Sequence, residues 1–224
     1  MCGRYVMIGP ESRYREHFGT LAGTTIAPRF NVAPSQLLPV VRRGEGDTRD
    51  MTSAYWGLIP SWVKEPKKLT HPINAKAETA AIKPMFRHAF RKSRILVPAD
   101  AFYEWKVVTG GKQPYLIRTR DESPLGFAGL MEYWHGPEGV VQTFAILTTE
   151  PNVLMAEIHK RMPAIIQPEA YTAWLDPDVT DVEALQSMLA PYPERLMEAY
   201  PVSRKVNSPA NDGPDLIKRV EEGR

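Results

Sequence analysis

Apolar and polar positions alternate in short runs along most of this chain, and helical periodicity is confined to brief stretches. Residues 2–8, CGRYVMI, predict a strand that ends at Gly9-Pro10. Residues 11–18 predict a short helix, with Tyr14 and Phe18 one turn apart. A small, polar loop is expected over 19–29. The run Phe30-Asn31-Val32-Ala33-Pro34-Ser35 reads as a rigid turn entering a strand over 36–41. Charged residues 42–50 read as a hairpin tip, and 51–58 as the returning strand. An aromatic loop follows, Trp56-Gly57-Leu58-Ile59-Pro60-Ser61-Trp62. Asn74 is placed in a turn that leads through Thr79 into a helical stretch. Residues 84–92 fit a second short helix, with Pro84 early, where its missing N–H costs least. Residues 94–98 have the pattern of a buried strand, and 102–106 alternate bulky and polar groups. Thr109-Gly110-Gly111-Lys112 is a hairpin turn. Strands are expected over 114–119, 125–134 and 141–149, then a short helix over 151–157. A polar break over 158–163 precedes apolar 164–166. Surface helices over 168–175 and 181–189 and a last strand over 196–202 complete the body. The chain is polar from Pro209, and its end from Lys218 is expected to fray.

Many short, hairpin-connected strands with few peripheral helices predict one α+β domain. Its sheet should be largely antiparallel and barrel-like. The domain is expected over 2–208, with 209–224 as a polar tail. The 21 prolines fit short elements joined by turns. At 224 residues, 43% apolar and 24% charged, the chain is long enough to bury a real core. No run approaches the length of a membrane span, and no signal peptide is visible. A single cysteine excludes an internal disulfide framework and a cysteine-rich zinc site. Histidines at 17, 71, 88, 135 and 159 have no metal-ligand spacing, so neither metal nor cofactor is expected. A net charge of +2 is too small to predict nucleic-acid binding, so any basic footprint must be local. The expected setting is the cytoplasm or the nucleoid, and the expected state is a monomer.

Cys2 stands directly behind the initiator methionine. A residue this small lets an aminopeptidase trim Met1, leaving an α-amine and a thiol on adjacent carbons. An amine condenses with an aldehyde to an imine. The neighbouring thiol can then close onto the imine carbon as a five-membered thiazolidine. The α-amine has an ordinary pKa of about 8, so part of it is unprotonated near neutrality. The competing reading of Cys2 is a small buried hydrophobe. Glu104 lies between Tyr103 and Trp105 in a strand suited to burial. It is either on an exposed face or a placed acid or base, and burial would raise it toward neutral pH. His159 is a proton donor or a surface residue, Asn74 a site ligand or a turn residue, and Arg4 an anion holder or an exposed arginine. Trp62, Lys64, Lys67, Lys68 and Lys76 interleave stacking surface with charge, and Arg87, Arg91, Lys92, Arg94 and Arg161 add cations. Single-stranded nucleic acid needs both, although charge runs are commonly just solvated surface.

Taken in order, several motifs resemble one family. They are Met-Cys-Gly-Arg at the start, Asn31-Val32-Ala33-Pro34, the aromatic loop 56–62, Asn74-Ala75-Lys76-Ala77-Glu78-Thr79, Ala99-Asp100-Ala101-Phe102-Tyr103-Glu104-Trp105 and Ile158-His159-Lys160-Arg161-Met162-Pro163. The family is SRAP, the SOS-response-associated peptidase-like, abasic-site processing proteins. The resemblance reaches to about Asn207. It implies removal of Met1 and a crosslink from Cys2 to the ring-opened aldehyde of an abasic site in single-stranded DNA. It implies a charged groove leading to Cys2, with Asn74, Glu104 and His159 at the active site. Arg4, Trp62, Lys76, Thr148 and Arg161 fall where relatives touch DNA, and Trp105 where a wedge residue sits. Lys76 departs from the usual arginine and loses its bidentate fork. Ala101 departs from the usual glycine. Two other classes compete: a cysteine peptidase using Cys2 and His159, limited to releasing its own leader, and a non-catalytic single-strand binding module with a structural Cys2.

Overall fold

A computed structural model describes residues 2–21 and 26–221. Met1, part of the loop expected over 19–29, and the last residues of the expected frayed end lie outside the described residues. The strands are β1 (Tyr5–Met7), β2 (Arg29–Val32), β3 (Leu37–Arg43), β4 (Arg49–Trp56), β5 (Asn74–Lys76), β6 (Arg94–Ala99), β7 (Ala101–Val108), β8 (Gly111–Thr119), β9 (Leu125–Gly136), β10 (Gly139–Thr149), β11 (Met162–Pro163), β12 (Ile165–Ile166) and β13 (Met197–Pro201). The helices are α1 (Glu11–Phe18), α2 (Ala77–Ala80), α3 (Arg87–Lys92), α4 (Val153–Ala156), α5 (Tyr171–Leu175) and α6 (Val182–Ser187).

Strands β10, β4, β3, β6 and β9 pair in that order, and β9 pairs again with β10, so the sheet closes on itself. Closure leaves no edge among these strands. The contact between β10 and β4 is parallel, with Phe144 opposite Trp56, and the other ring pairings are antiparallel. A second sheet, ordered β13-β8-β7-β1-β2, is antiparallel throughout. The α+β, barrel-like, largely antiparallel fold is therefore as the alternation predicted.

Inward residues of the two sheets meet in an aromatic seam. Tyr5 of β1 lies 5.4 Å from Trp56 and 6.0 Å from Phe127, and Phe102 lies 5.9 Å from Phe127. All four are fully buried, and each such side chain contributes about 1.5–3 kcal/mol. The β7–β8 hairpin turns at Gly110 and Gly111, with φ of 83° and 137°, values that side chains resist. Among the described residues no helix is long and apolar enough to cross a membrane.

Some local expectations change. Residues 29–32 form a strand, because β1 captures them with Tyr5 opposite Val32. Asn31 is consequently a buried anchor: its Nδ2 donates to the carbonyls of Val206, Ser208 and Asn211. The turn falls later, at Ser35, with φ of 67°. Asn74 is not in a turn but in β5, paired parallel with Ile146 of β10. The helix expected from Pro84 begins only at Arg87. The segment beyond Pro209 is polar, yet its described part docks on the body. Leu216 is buried beside Val6, Leu116 and Tyr200, and Arg219 bridges to Val202. Ile217 packs beside it, and the Tyr200 hydroxyl donates to the Ile217 carbonyl at 3.1 Å and the Phe30 amide to Asp212 Oδ1 at 2.6 Å.

Candidate functional site

Strand register delivers the amino terminus to Glu104. Tyr5 lies opposite Phe102 and Val6 opposite Ala101, and the Tyr103 amide donates to the Arg4 carbonyl at 3.0 Å. Carried backwards, that antiparallel register runs Gly3 and Cys2 along Glu104 and Trp105. Cys2 is fully buried, with Sγ 3.9 Å from the Arg4 carbonyl.

The barrel supplies the other groups from the end of β10. Asn74, held beside Ile146, donates its Nδ2 to the Cys2 carbonyl at 2.9 Å. Its Oδ1 is buried and has no hydrogen-bond partner among the described residues, so a spare acceptor sits in the site. Past β10 the chain makes α4, which starts where Asn152 Oδ1 accepts from the Met155 amide at 2.9 Å. It returns as β11, with Pro163 opposite Thr148. His159 lies on this return. Its amide donates to the Met155 carbonyl at 2.8 Å, and its Nδ1 stands 3.8 Å from Glu104 Oε1. The same Nδ1 is 3.0 Å from the carbonyl and 3.1 Å from the amide of Arg161.

Burial shapes the chemistry. It pushes the Cys2 thiol far above its ordinary value, and the Glu104 charge adds to this. The neutral thiol is therefore the resting form. Burial also raises Glu104, against His159, whose charge pulls it down. A carboxyl tuned in this way can take and return a proton.

The expected DNA contacts divide by setting. Trp62 is 62% exposed on the loop after β4. That loop is pinned by the Ile59 amide on Thr143 Oγ1 at 2.9 Å, the Ser61 amide on Glu132 Oε2 at 3.3 Å, and Trp134 Nε1 on the Val63 carbonyl at 2.7 Å. Lys76 is exposed at the end of β5. Trp105 is half-buried and donates Nε1 to Asn207 Oδ1 at 2.7 Å. Arg4 is engaged within the protein: Nη1 donates to Asn31 Oδ1 and the Val206 carbonyl, each at 2.9 Å, and Nη2 to the Asn207 carbonyl at 3.3 Å. Thr148 is fully buried behind Arg161. Arg161 places its fork on Glu78, Nη1 to Oε1 at 2.6 Å and Nη2 to Oε2 at 2.9 Å, and Nη2 also donates to the Thr148 carbonyl.

The fold thus gathers Cys2, Asn74, Glu104 and His159, with Trp105 beside them in the register. Reasoning from the sequence missed Glu78, Asn31 and Asn207 as partners of the charged and aromatic groups. Glu78 and Asn31 each stood inside a quoted motif; nothing in the sequence marked Asn207 as a partner. Among the described residues no group of three or more His, Cys, Asp or Glu could hold a metal ion.

A closed barrel backed by a second sheet, with a buried cysteine at the second position beside a raised carboxyl and a histidine, defines a class of protein. The chain belongs to the SRAP family: the model described as SOS response associated peptidase (SRAP) matches residues 1–209. It is 42% identical over 224 residues to the abasic site processing protein YoqW of Bacillus subtilis, covering 97% of this chain and 99% of that one. It is 32% identical over 228 residues to the abasic site processing protein HMCES of Gallus gallus, covering 88% of this chain and 67% of that one. A crystal structure of a protein from Bacteroides thetaiotaomicron superposes with a TM-score of 0.88 at 27% identity, covering 98% of this chain and all (100%) of that one.

Proposed function

We propose that this protein processes abasic sites by crosslinking its N-terminal cysteine to the lesion aldehyde in single-stranded DNA. The observation that carries the reading is the burial of Cys2 between the Asn74 amide, at 2.9 Å from its carbonyl, and the Glu104–His159 pair. The names of the relatives support the lesion; the chemistry rests on the residues.

Once Met1 is removed, the free α-amine attacks C1′ of the open sugar and gives a carbinolamine. Loss of water leaves an imine, with His159 donating the proton that departs with the oxygen. The thiol then adds to the imine carbon. Its proton passes through Glu104 to the nitrogen, and the thiazolidine closes with one water lost overall. Because the thiol rests neutral, the amine acts first, and Glu104 takes the thiol proton only as the ring forms. Asn74 holds the terminal residue, and its spare Oδ1 can accept from the new amine. Holding the aminothiol against the aldehyde makes closure intramolecular, an advantage of up to about 7–11 kcal/mol. The reverse path uses the same groups, and the adduct shields the lesion meanwhile. A cysteine peptidase would need a thiolate, which the burial of Cys2 opposes.

The test is a denaturing gel of purified protein mixed with a single-stranded oligonucleotide carrying one abasic site. A shifted band is expected from protein that mass spectrometry shows to lack Met1. No band is expected from Cys2→Ala or from a chain with one residue added ahead of Cys2. Absence of the band in the trimmed wild type would falsify the reading, and a stable band from the extended chain would exclude the α-amine.

A further inference from the structure

We propose that Glu78 is a specificity residue: its carboxylate occupies the Arg161 fork where a DNA phosphate would sit, and so holds down binding to intact single strands. This inference rests on the single-strand reading above.

Arg161 is placed without help from Glu78. Its Nη2 donates to the Thr148 carbonyl and lies 3.4 Å from Thr148 Oγ1, both on the rigid end of β10. Its side chain is only 13% exposed, against 43% for Glu78. Glu78 projects outward from α2, so its carboxylate is the partner free to swing away. Both Glu78 oxygens are on the fork, at 2.6 and 2.9 Å, and a phosphate offers the same paired oxygens. The two therefore compete for one seat. The Arg161 hydrogen bonds hold the Glu78 carboxyl below its ordinary range, so it remains charged near neutrality.

The consequence is discrimination. Lys76 is exposed two positions away, and with Arg161 closed on Glu78 it is the cation of this trio that first meets an incoming strand. A strand gains the second cation only by displacing Glu78. A phosphate that replaces the carboxylate keeps the Arg161 donors paired, so a lesion captured covalently at Cys2 can accomplish the exchange. An intact strand, which has no such bond, dissociates first.

The experiment measures binding of an undamaged thymidine oligonucleotide by fluorescence anisotropy over a range of salt concentrations. Glu78→Gln is expected to bind roughly two- to tenfold more tightly than wild type at low salt. Its slope of log affinity against log salt should steepen by about 0.7, the share of one phosphate on a single strand. The gain should vanish when Arg161→Gln is added. Glu78→Ala repeats the test without a new polar group, and thermal melting checks that each variant is folded. Unchanged or weaker binding by folded Glu78→Gln and Glu78→Ala, while wild type binds the strand, overturns the proposal and leaves the crosslinking reading standing. A trimmed wild type that neither binds the intact strand nor crosslinks the abasic one overturns both.

Discussion

Asn74 and Cys2, 72 positions apart in the chain, are joined by a 2.9 Å hydrogen bond from the side-chain amide to the Cys2 carbonyl. The bond exists because β5 lies on β10 in parallel register, with Asn74 opposite Ile146. It fixes the terminal peptide before any substrate arrives, and such positioning is where an intramolecular reaction gains its rate.

Asn74→Ala should slow adduct formation about fivefold, since one hydrogen bond of this kind is worth about 1 kcal/mol. Asn74→Asp should be slower still, because it sets a carboxylate against the Cys2 carbonyl. A time course of the denaturant-resistant adduct measures both. Wild-type rates in the Asp variant would remove this bond from the mechanism.

Glu104→Gln should separate stability from activity. Burial raises the Glu104 pKa, so the folded state binds that proton more tightly than the unfolded chain. The contribution is favourable below about 4.5, the ordinary carboxylate value, and is lost as pH rises through the raised value. Glutamine removes that loss. The variant should therefore melt above wild type at neutral pH, by about 2–4 °C per kcal/mol relieved, and the gap should close toward pH 4. Adduct formation and reversal should both slow. Calorimetry across pH is the check, and a gap that widens in acid contradicts the assignment.

The Cys2 thiol should be sluggish. Thiol reagents attack the thiolate, and burial disfavours that form here. Labelling by an aromatic disulfide at pH 7 should run at least about 100-fold slower in the folded protein than in denaturant. Equal rates would mean that Cys2 is open to solvent.

Asn31→Ala should destabilise the whole protein. The side chain is 2% exposed, donates to three carbonyls of the segment around 206–211, and accepts from Arg4. Losing it strands several buried groups, a cost of about 2–4 kcal/mol. Chemical denaturation would register the loss. An effect under about 0.5 kcal/mol, the range of an ordinary surface change, would show that the segment is held by other contacts.

Much of the fold could be read from local pattern. α1 was predicted at its observed bounds, Glu11–Phe18, because Tyr14 and Phe18 both turn inward. The β7–β8 hairpin followed from Gly110-Gly111. The failures share a cause. Asn31 and Asn74 resemble turn residues by type, and each became part of a strand because another strand captured its backbone. Their side chains then found partners at 206–211 and at Cys2. Turn propensity is a local preference, and pairing with a distant strand overrides it.

The sequence by itself determined the candidate groups: a single cysteine at position 2, and Asn74, Glu104 and His159 named from motifs that resemble one family. It also determined an α+β protein of short strands. Only the tertiary structure decided what those groups are. It buried Cys2 and Glu104, which raised both, and it set His159 3.8 Å from the carboxyl. It also closed the Arg161 fork on Glu78 and tied Arg4 to Asn31, so neither arginine stands bare. The physical reason is that charge state and hydrogen-bond occupancy depend on what lies within a few ångströms, and strands far apart in the chain supply those neighbours.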